Sequence, residues 1–388
     1  MHLDRHLAQP HAIGDFLVHQ ATAHCAQHLQ LARRQAVEQG LRLGAQRRLR
    51  GGGRRGGRRG PCAGRGGERE EDGKGGAAGF AKGGATVSFE PMEGGTRLTY
   101  EAEANVGGKL AGSLLRNGHD VTVRDLNPDL MAEFVTKGAK SAASPKEMAE
   151  QVDMIITCLP SPAATAHVVE AEDGFLQALR PGMVWLEMST TDYEEVLRLG
   201  ELVEAKGAMI MDSPVSGGCH RADTGNIAIF AGGKREAFEY VLPVLTTMGR
   251  RILHTGELGS ASRLKVVTNY LCTAHLVALA EALTTCKVVG LDMNTAYEAI
   301  RISSGNSFVH ETESQVILNG SRDISFTMDL VIKDVGLFDQ LAQDHNVPLE
   351  LSPLVLNIFK DSAERYGQRE FSPNVIRRYE EPCGVKVL

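Results

Sequence analysis

The apolar positions of the chain change period several times between residue 106 and the C-terminus. Val106, Leu110 and Leu114 are spaced by four, which predicts a helix. Asn117 and Gly118 are residues that end helices, so the helix is expected to stop there. Short apolar runs bounded by turn residues then predict strands, and these runs are Val121–Asp125, Asp153–Pro160, Met183–Thr190, Met209–Pro214 and Ile227–Ala231. Helical patterns separate most of them, which favours a parallel sheet with crossover helices.

The strand pattern stops after Gly259. Ser260–Leu291 has the pattern of one long helix, and helical periodicity continues through residues 326–344 and 353–366. Ser352 and Pro353 suit the N-cap and the first position of the last helix. The sequence therefore predicts an α/β domain over residues 96–259, with a mostly parallel sheet, followed by an all-α domain over residues 260–388.

The N-terminal 72 residues have no sustained period and end in an Arg/Gly-rich tract. Such a segment buries too little apolar surface to offset its conformational entropy, so we expect residues 1–72 to be disordered. An RNA-binding tail of this composition works best with interleaved aromatic residues, and none occurs between Phe16 and Phe80. The net charge of −6 also argues against general affinity for nucleic acid or for anionic membranes.

The pattern changes after residue 72. Two alternating runs, residues 85–91 and 96–104, flank the Met92–Gly95 turn and predict a hairpin, and residues 73–95 are assigned to a hairpin-like fragment. The stretch from about residue 73 to 110 resembles the C-terminal hairpin region of a helix-grip family of carbon monoxide dehydrogenase subunits. The Arg/Gly tract before it resembles an out-of-frame reading of a GC-rich gene. We interpret the chain as a chimera joined near Gly107–Ala111, and the alternative is a divergent natural extension.

Composition narrows the class of protein. The hydrophobic content of 42 % and the charged content of 23 % are ordinary for a soluble globular chain. No apolar run approaches the ~18 residues that span a bilayer, and no signal peptide is apparent. The seven cysteines have neither CxxC nor Cys/His ligand spacing, which predicts reduced thiols, a cytoplasmic location and no metal site.

One acidic residue fits a dinucleotide-binding fold of the Rossmann type, which needs a strand, a glycine-rich turn, a helix and a carboxylate about 20 residues on. Asp125 ends the predicted strand that follows the first helix, 18 residues after Gly107. A carboxylate there binds the ribose 2′-hydroxyl and repels a 2′-phosphate, so NAD is favoured and NADP is the second choice. The alternative is that Asp125 is solvated and opens the turn at Asn127.

The glycine-rich turn departs from the motif, because Ala102 and Ala104 stand where its first two glycines belong and only Gly107 remains. Each added Cβ costs about 1–2 kcal/mol if the turn needs strained geometry. Glu101 and Glu103 would also repel a pyrophosphate. We expect cofactor affinity to be lowered by ~10- to 1000-fold. A chimeric or pseudoenzyme scaffold that cannot bind NAD is therefore the alternative function.

Two further motifs carry candidate chemistry. Ser216, Gly217 and Gly218 follow an apolar strand, and their backbone N–H groups can hold a carboxylate, although a simple tight turn explains them equally well. Lys265 and Asn269 are four residues apart and share one helix face. A desolvated lysine is a candidate acid or base, and the alternative is a lysine that extends to solvent.

The order of these motifs is what resembles a family: Glu187–Thr190, then Asp212–Gly218 (DSPVSGG), then Lys265 with Asn269, then Lys333-Asp334. From about residue 107 to the C-terminus the chain resembles the 3-hydroxyisobutyrate dehydrogenase branch of the β-hydroxyacid dehydrogenases. The resemblance implies that Lys265 is the catalytic lysine, that Asn269 orients it, and that Ser216, Gly217 and Gly218 bind the substrate carboxylate. It also implies that four residues line the nicotinamide half of the cofactor: Leu159, Pro160, Thr190 and Lys333.

The implied function is hydride transfer between NAD(P) and a small 3-hydroxy acid or its semialdehyde, by a homodimer or homotetramer. Cys219, His220 and Arg221 differ from the small residues common at these positions in the family, which leaves the substrate open. His220 and Arg221 either add an anion contact or are solvated. A decarboxylating enzyme of the 6-phosphogluconate type is the rival reaction, and it would need a basic phosphate pocket and a longer helical domain.

Restoring both glycines of the turn tests whether it limits cofactor binding. The double variant Ala102→Gly/Ala104→Gly is expected to bind NADH about tenfold or more tightly than the parent, because two Cβ atoms leave the approach to the pyrophosphate. Fluorescence titration with NADH measures the change. Equal dissociation constants for the two proteins would show that these positions do not control affinity.

Overall fold

The computed structural model describes the backbone of residues 87–92 and 95–100 and all of residues 106–388. The predicted disorder of residues 1–72 and the turn positions Ala102 and Ala104 lie outside the described residues. Strand β1 (Val87–Met92) pairs antiparallel with β2 (Gly95–Tyr100), and Met92 lies opposite Gly95 in the register. The two strands coincide with the alternating runs on either side of Met92–Gly95, and β2 extends beyond residue 95, where the predicted hairpin segment ended.

The remaining strands form two sheets. A short parallel pair consists of β3 (Thr122–Val123) and β4 (Lys140–Ser141). The larger sheet has the order β10-β9-β7-β6-β5, with β8 beside β9. Its strands are β5 (Met154–Thr157), β6 (Val184–Glu187), β7 (Met209–Asp212), β8 (Val215–Ser216), β9 (Ile227–Gly232) and β10 (Gly249–Gly256).

The larger sheet is mostly parallel, as predicted, and it departs from a parallel arrangement at β9. β5, β6 and β7 are parallel, whereas β9 is antiparallel to β7, and β10 is parallel to β9. The connection from β7 to β9 passes through β8, which pairs antiparallel with β9, and through one six-residue helix. A parallel arrangement there would need a full crossover helix. The two-residue strands β4 and β8 and the largely unburied β10 were not predicted, because each lacks a distinct apolar run.

Helices pack against the sheet as the apolar spacing predicted. Three of them begin at a capping side chain, from Asn127, Ser144 or Ser161, with proline at the first helical position. The helices are α1 (Val106–Arg116), α2 (Pro128–Thr136), α3 (Pro145–Gln151), α4 (Pro162–Glu170), α5 (Tyr193–Ala205), α6 (Gly218–Asp223) and α7 (Arg235–Met248). Together with the sheet they form the predicted α/β domain of the Rossmann type.

One edge of the larger sheet is open among the described residues. β5 pairs with β6 on one side, and no described strand lies along its other side. The β3–β4 pair stands apart, and residues of β3 and β5 line the same cleft. The motif requires a first strand before α1. The described strands therefore do not include the element whose sequence departs from the motif.

The C-terminal part is all helical, as predicted. The helices are α8 (Ser260–Val288), α9 (Met293–Arg301), α10 (Phe308–Leu318), α11 (Met328–Asp344), α12 (Leu351–Tyr366) and α13 (Arg377–Cys383). The other five pack against α8 either directly or through one another, around a core that includes Leu276, Leu283, Val335 and Phe359.

The start of α12 differs from the prediction. Its N-cap is Glu350, not Ser352. Ser352 lies inside the helix and is buried, and its hydroxyl donates to the Asp339 carboxylate at 2.5 Å. The serine therefore ties α12 to α11 instead of capping its own helix.

Within residues 106–388, α8 is the helix that is long and apolar enough, by length and composition alone, to cross a membrane. In the sequence, charged residues interrupt the apolar stretch Ala274–Leu291, so no long uninterrupted apolar run is visible there. The central helix of a globular bundle has the same composition, and α8 holds that position here.

A buried carboxylate joins the sheet to α8. Asp212 ends β7 and has no exposed surface. Its two oxygens accept the backbone N–H groups of Gly259, at 2.9 Å, and of Ser262, at 2.7 Å. These amides lie at the N-terminus of α8, where the helix dipole favours negative charge. Asp212 therefore fixes where the long helix begins relative to the carboxyl ends of β5, β6 and β7.

Gly232 offers a test of this junction. A Cβ at Gly232 would overlap the Asp212 carboxylate and lie 2.8 Å from the Ser260 hydroxyl. Gly232→Ala is expected to lower the free energy of unfolding by about 2–3 kcal/mol, because the packed junction must shift. Urea unfolding measures it. Gly336→Ala is the matched control on α11, where a Cβ meets nothing within 4 Å and a gain of up to ~1 kcal/mol is expected. Equal midpoints for the two variants would contradict the role of the junction.

Candidate active site

A cleft of about 2510 Å³ extends from the strands β3 and β5 to the helices α8, α10 and α11. All the predicted site residues line it. They are Gly107, Asp125, Leu159, Pro160, Thr190, Ser216, Gly217, Gly218, Lys265, Asn269 and Lys333. The fold therefore brings together residues that are more than 200 positions apart in the sequence.

Lys265 lies at the centre of a buried hydrogen-bond chain. Its side chain is 7 % exposed, and its Nζ donates to Asn269 Oδ1 at 2.8 Å. The Asn269 Nδ2 group donates in turn to Asp334 Oδ2 at 2.5 Å. An amide that accepts from an amine and donates to a carboxylate is fixed in one orientation. Because the amine is buried and held, the alternative of a lysine that extends to solvent is not what the structure shows.

The surroundings of Lys265 shift its proton affinity. Burial lowers the pKa of the Lys265 ammonium, and the nearby Asp334 carboxylate opposes part of that change. The net direction is downward from the ordinary value of a lysine. The amine therefore loses and regains a proton more readily near neutral pH than a surface lysine does, as an acid or base requires.

Lys333 is held by the same carboxylate. Its Nζ lies 2.8 Å from Asp334 Oδ1 and donates to the backbone carbonyl of Thr190 at 2.6 Å. Asp334 thus joins Asn269 on α8 to Lys333 on its own helix. The Lys333-Asp334 pair is visible in the sequence, but the role of Asp334 is not, because its partner on α8 is 65 residues away.

The loops that follow β5 and β6 are joined by a second buried network. Glu187 is fully buried and accepts the Thr157 hydroxyl at 2.8 Å and the Ser189 N–H at 2.7 Å. The Ser189 hydroxyl accepts the N–H of Leu159 at 2.7 Å. Burial raises the pKa of Glu187, and these donors oppose the rise. The network sets the position of Leu159 beside the segment that carries Thr190.

The Ser-Gly-Gly bend has the backbone that its sequence implies. Ser216 ends β8, and Gly217 and Gly218 have φ values of +126° and +78°, which L side chains rarely adopt. The Arg221 side chain packs over Gly217, and its guanidinium lies 4.6 Å from the centre of the Phe308 ring. Arg221 therefore connects the bend to α10, whereas His220 is exposed.

The cofactor end of the cleft meets part of the requirement for a dinucleotide. α1 starts at Val106 with Gly107 next to it, and its first turn has no acidic residue, so this helix end suits a phosphate. Asp125 faces the cleft, while its Oδ1 also accepts the N–H of Asn127 at 2.8 Å. Asp125 therefore stabilises the turn at Asn127, and its contact with the ribose stays a prediction that its place on the cleft permits.

The cysteines of the site are not suited to nucleophilic chemistry. Cys158 follows β5, and the Gly107 N–H donates to its sulfur. Burial raises the pKa of both Cys158 and Cys272 to about 12, so both remain protonated thiols. In the part of the chain that the structure describes, no three His, Cys, Asp or Glu side chains are grouped as metal ligands.

Comparison with known proteins agrees with this geometry. The family model for the NAD binding domain of 6-phosphogluconate dehydrogenase matches residues 103–256. The model for the NAD-binding domain of NADP-dependent 3-hydroxyisobutyrate dehydrogenase matches residues 259–379.

Individual relatives cover most of the chain. It is 32 % identical to 2-(hydroxymethyl)glutarate dehydrogenase of Eubacterium barkeri over 297 residues, which is 76 % of this chain and 99 % of that protein. It is 30 % identical to mitochondrial 3-hydroxyisobutyrate dehydrogenase of Mus musculus, over 74 % of this chain and 88 % of that protein. The crystal structure of 3-hydroxyisobutyrate dehydrogenase from Salmonella typhimurium matches with a TM-score of 0.64 at 28 % identity, over 70 % of this chain and 96 % of that one.

Removing the Asp334 charge tests the electrostatics of the buried chain. Asp334→Asn is expected to lower the pKa of Lys265 further, because the carboxylate that favours the ammonium is lost. An NMR titration of protein labelled at the lysine side-chain carbons measures this directly. Asp344→Asn, at the exposed end of the same helix, is the control and should leave the titration unchanged. A Lys265 pKa that stays the same or rises in Asp334→Asn would contradict the assignment.

Proposed function

The chain belongs to the NAD(P)-binding hydroxyacid dehydrogenase family that includes 3-hydroxyisobutyrate dehydrogenase, and from this premise we propose that it transfers a hydride between NAD(P) and a small 3-hydroxy acid or its semialdehyde. The observation that carries the proposal is the buried chain of Lys265, Asn269 and Asp334 in the cleft that also contains the Ser216–Gly218 bend.

Lys265 is the proton-handling group of the proposed mechanism. In oxidation its neutral amine accepts the hydroxyl proton while the C–OH carbon becomes a carbonyl, and in reduction the ammonium returns that proton. Asn269 holds the amine and the substrate oxygen in place. The N–H groups of the Ser216–Gly218 bend bind the substrate carboxylate, which fixes the reacting carbon. Most of the rate enhancement from these contacts would therefore come from orientation of the substrate.

The cofactor would be held by residues on both sides of the cleft. The N-terminus of α1 at Gly107 suits the pyrophosphate and Asp125 suits the adenosine ribose. Leu159, Pro160, Thr190 and Lys333 would hold the nicotinamide half. Bound NAD(P) supplies the hydride acceptor in oxidation and the hydride donor in reduction. NAD is proposed over NADP because Asp125 would repel a 2′-phosphate.

The alternatives have less support. The relatives are named as dehydrogenases of small hydroxy acids, and nothing in them favours a scaffold without a cofactor. A decarboxylating reaction of the 6-phosphogluconate type would need a basic phosphate pocket, and beside the carboxylate bend the Arg221 guanidinium is already stacked on Phe308. The cytoplasmic location and the homodimer or homotetramer stay predictions.

Lys265→Ala tests the mechanism. Turnover of 3-hydroxyisobutyrate with NAD is expected to fall by ~100- to 10,000-fold, because the group that accepts the hydroxyl proton is removed. The dissociation constant for NADH should change little. Lys360→Ala, which removes an exposed lysine on α12, is the control and should keep parental turnover.

The pH profile gives a second measurement on the same variant. Because the pKa of Lys265 is lowered, oxidation by the parent should gain rate as pH rises through a value below that of an ordinary lysine, and reduction should lose rate over the same range. Both of these pH-dependent changes in rate should be absent in Lys265→Ala. Parental turnover in Lys265→Ala would exclude this role, and a parent that fails to bind millimolar NADH would favour the pseudoenzyme scaffold.

A further inference from the structure

A buried carboxyl group in the cleft has no role in the mechanism above. Glu313 lies on α10, is 5 % exposed and lines the cleft. Its Oε2 atom is buried and accepts no hydrogen bond from any residue that the structure describes. A buried polar group without a partner costs free energy, so native proteins rarely keep one without a function. Its position in a cleft indicates that a ligand supplies the missing partner.

The position of Glu313 relative to Lys265 follows from α8. Lys265, Asn269 and Cys272 recur at intervals of four and three residues, so they lie on one face of the helix. The charge of Glu313 contributes to raising the pKa of the Cys272 thiol, which places the carboxyl near that end of the face. Seven residues of helix correspond to about 10 Å. Cys272, on whose thiol the Glu313 charge acts, therefore lies about two helical turns along α8 from the reacting amine.

The same helix also reaches the carboxylate bend. Phe308 begins α10 and stacks on Arg221, whose side chain covers Gly217. One helix thus contacts the carboxylate end of the site through Phe308 and carries Glu313 farther along. A 3-hydroxy acid held by its carboxylate and its C3 oxygen would direct a substituent on C2 along this wall.

The charge at the far end of the pocket selects the kind of substituent. Glu313 has no ion pair with any described cation, and the neighbouring Cys272 is a neutral thiol. Burial raises the pKa of Glu313 to about 8, so the carboxylate form, which accepts hydrogen bonds and repels a second carboxylate, predominates above that pH. A second carboxylate placed there would be desolvated beside another acidic group. A hydrogen-bond donor would instead satisfy the unpartnered oxygen.

We propose that Glu313 is a specificity-determining residue that accepts a hydrogen bond from a donor group on the C2 arm of the substrate, such as a carboxamide, hydroxyl or ammonium group, and that disfavours a second carboxylate. The inference rests on the proposed function and adds to it a substrate class. It separates this chain from the 32 % identical relative, whose name gives a dicarboxylic substrate.

Three substrates of one series, compared at about pH 9 where the Glu313 carboxylate predominates, test the proposal. They are 2-(hydroxymethyl)glutarate, its carboxamide at the far acid group, and 3-hydroxyisobutyrate, which has only a methyl arm. The parent is expected to show kcat/KM for the carboxamide about 10- to 100-fold above that for the dicarboxylate, because the site's buried acceptor is satisfied only by the amide. Most of the difference should appear in KM, since the arm is remote from the reacting carbon.

Glu313→Gln should reduce the ratio to within about threefold, because the side chain keeps its shape but loses its charge. Activity with 3-hydroxyisobutyrate should change by less than about threefold, and this shows that the variant folds. Glu298→Gln, on the surface of α9 and ion-paired with Arg301, is the matched control and should keep the parental ratio. A parent without the preference, or a Glu313→Gln variant that retains it, would overturn the proposal.

The proposed function and this subsite fail in different ways. If the parent oxidises none of the three substrates, the proposed function fails. Ligand-observed NMR with the carboxamide and the dicarboxylate then measures binding alone. Preferential binding of the carboxamide to the parent, lost in Glu313→Gln, would still support the subsite, and equal binding of both compounds would end it.

Discussion

The site depends on the bond between the Asp212 carboxylate and the N-terminus of α8. Asp212 is inside the protein, where an unpaired carboxylate is costly, and the amides of Gly259 and Ser262 stabilise its charge. Because Ser262 is less than one helical turn from Lys265, the same bond sets where the amine lies relative to the sheet. The contact between the two domains therefore includes hydrogen bonds at the N-terminus of α8 as well as apolar packing.

Asp334 is the second residue that fixes the geometry of the site. It holds Asn269 on α8 and Lys333 on α11, and Lys333 in turn contacts the Thr190 carbonyl after β6. One carboxylate thus relates the amine-holding residue to the edge of the sheet where the nicotinamide is expected. Preorganisation of this kind matters because catalysis by orientation is lost when the groups are free to move.

The two ends of the cleft differ in how closely their residues follow the motifs of the family. The substrate side is formed by buried, hydrogen-bonded groups on α8, α10 and α11. On the cofactor side, the turn that should precede α1 has alanines where the motif has glycines. The chain therefore combines a well-ordered proton-handling and carboxylate-binding side with a departure on the phosphate side, and the family membership rests on the match over most of the chain.

Local spacing determined the helices α1, α8, α11 and α12, the strands β5, β6, β7 and β9, and the shared helix face of Lys265 and Asn269, because periodicity and i, i+4 neighbours are properties of short segments. The family's motif order then identified the other residues of the cleft. The tertiary structure alone decided the direction of β9 and β10, the bond from Asp212 to α8, the role of Asp334 and the unpartnered Glu313. These depend on partners far away in the sequence, 47 residues for Asp212 and Gly259 and 65 for Asn269 and Asp334, and on burial, which no spacing along the chain specifies.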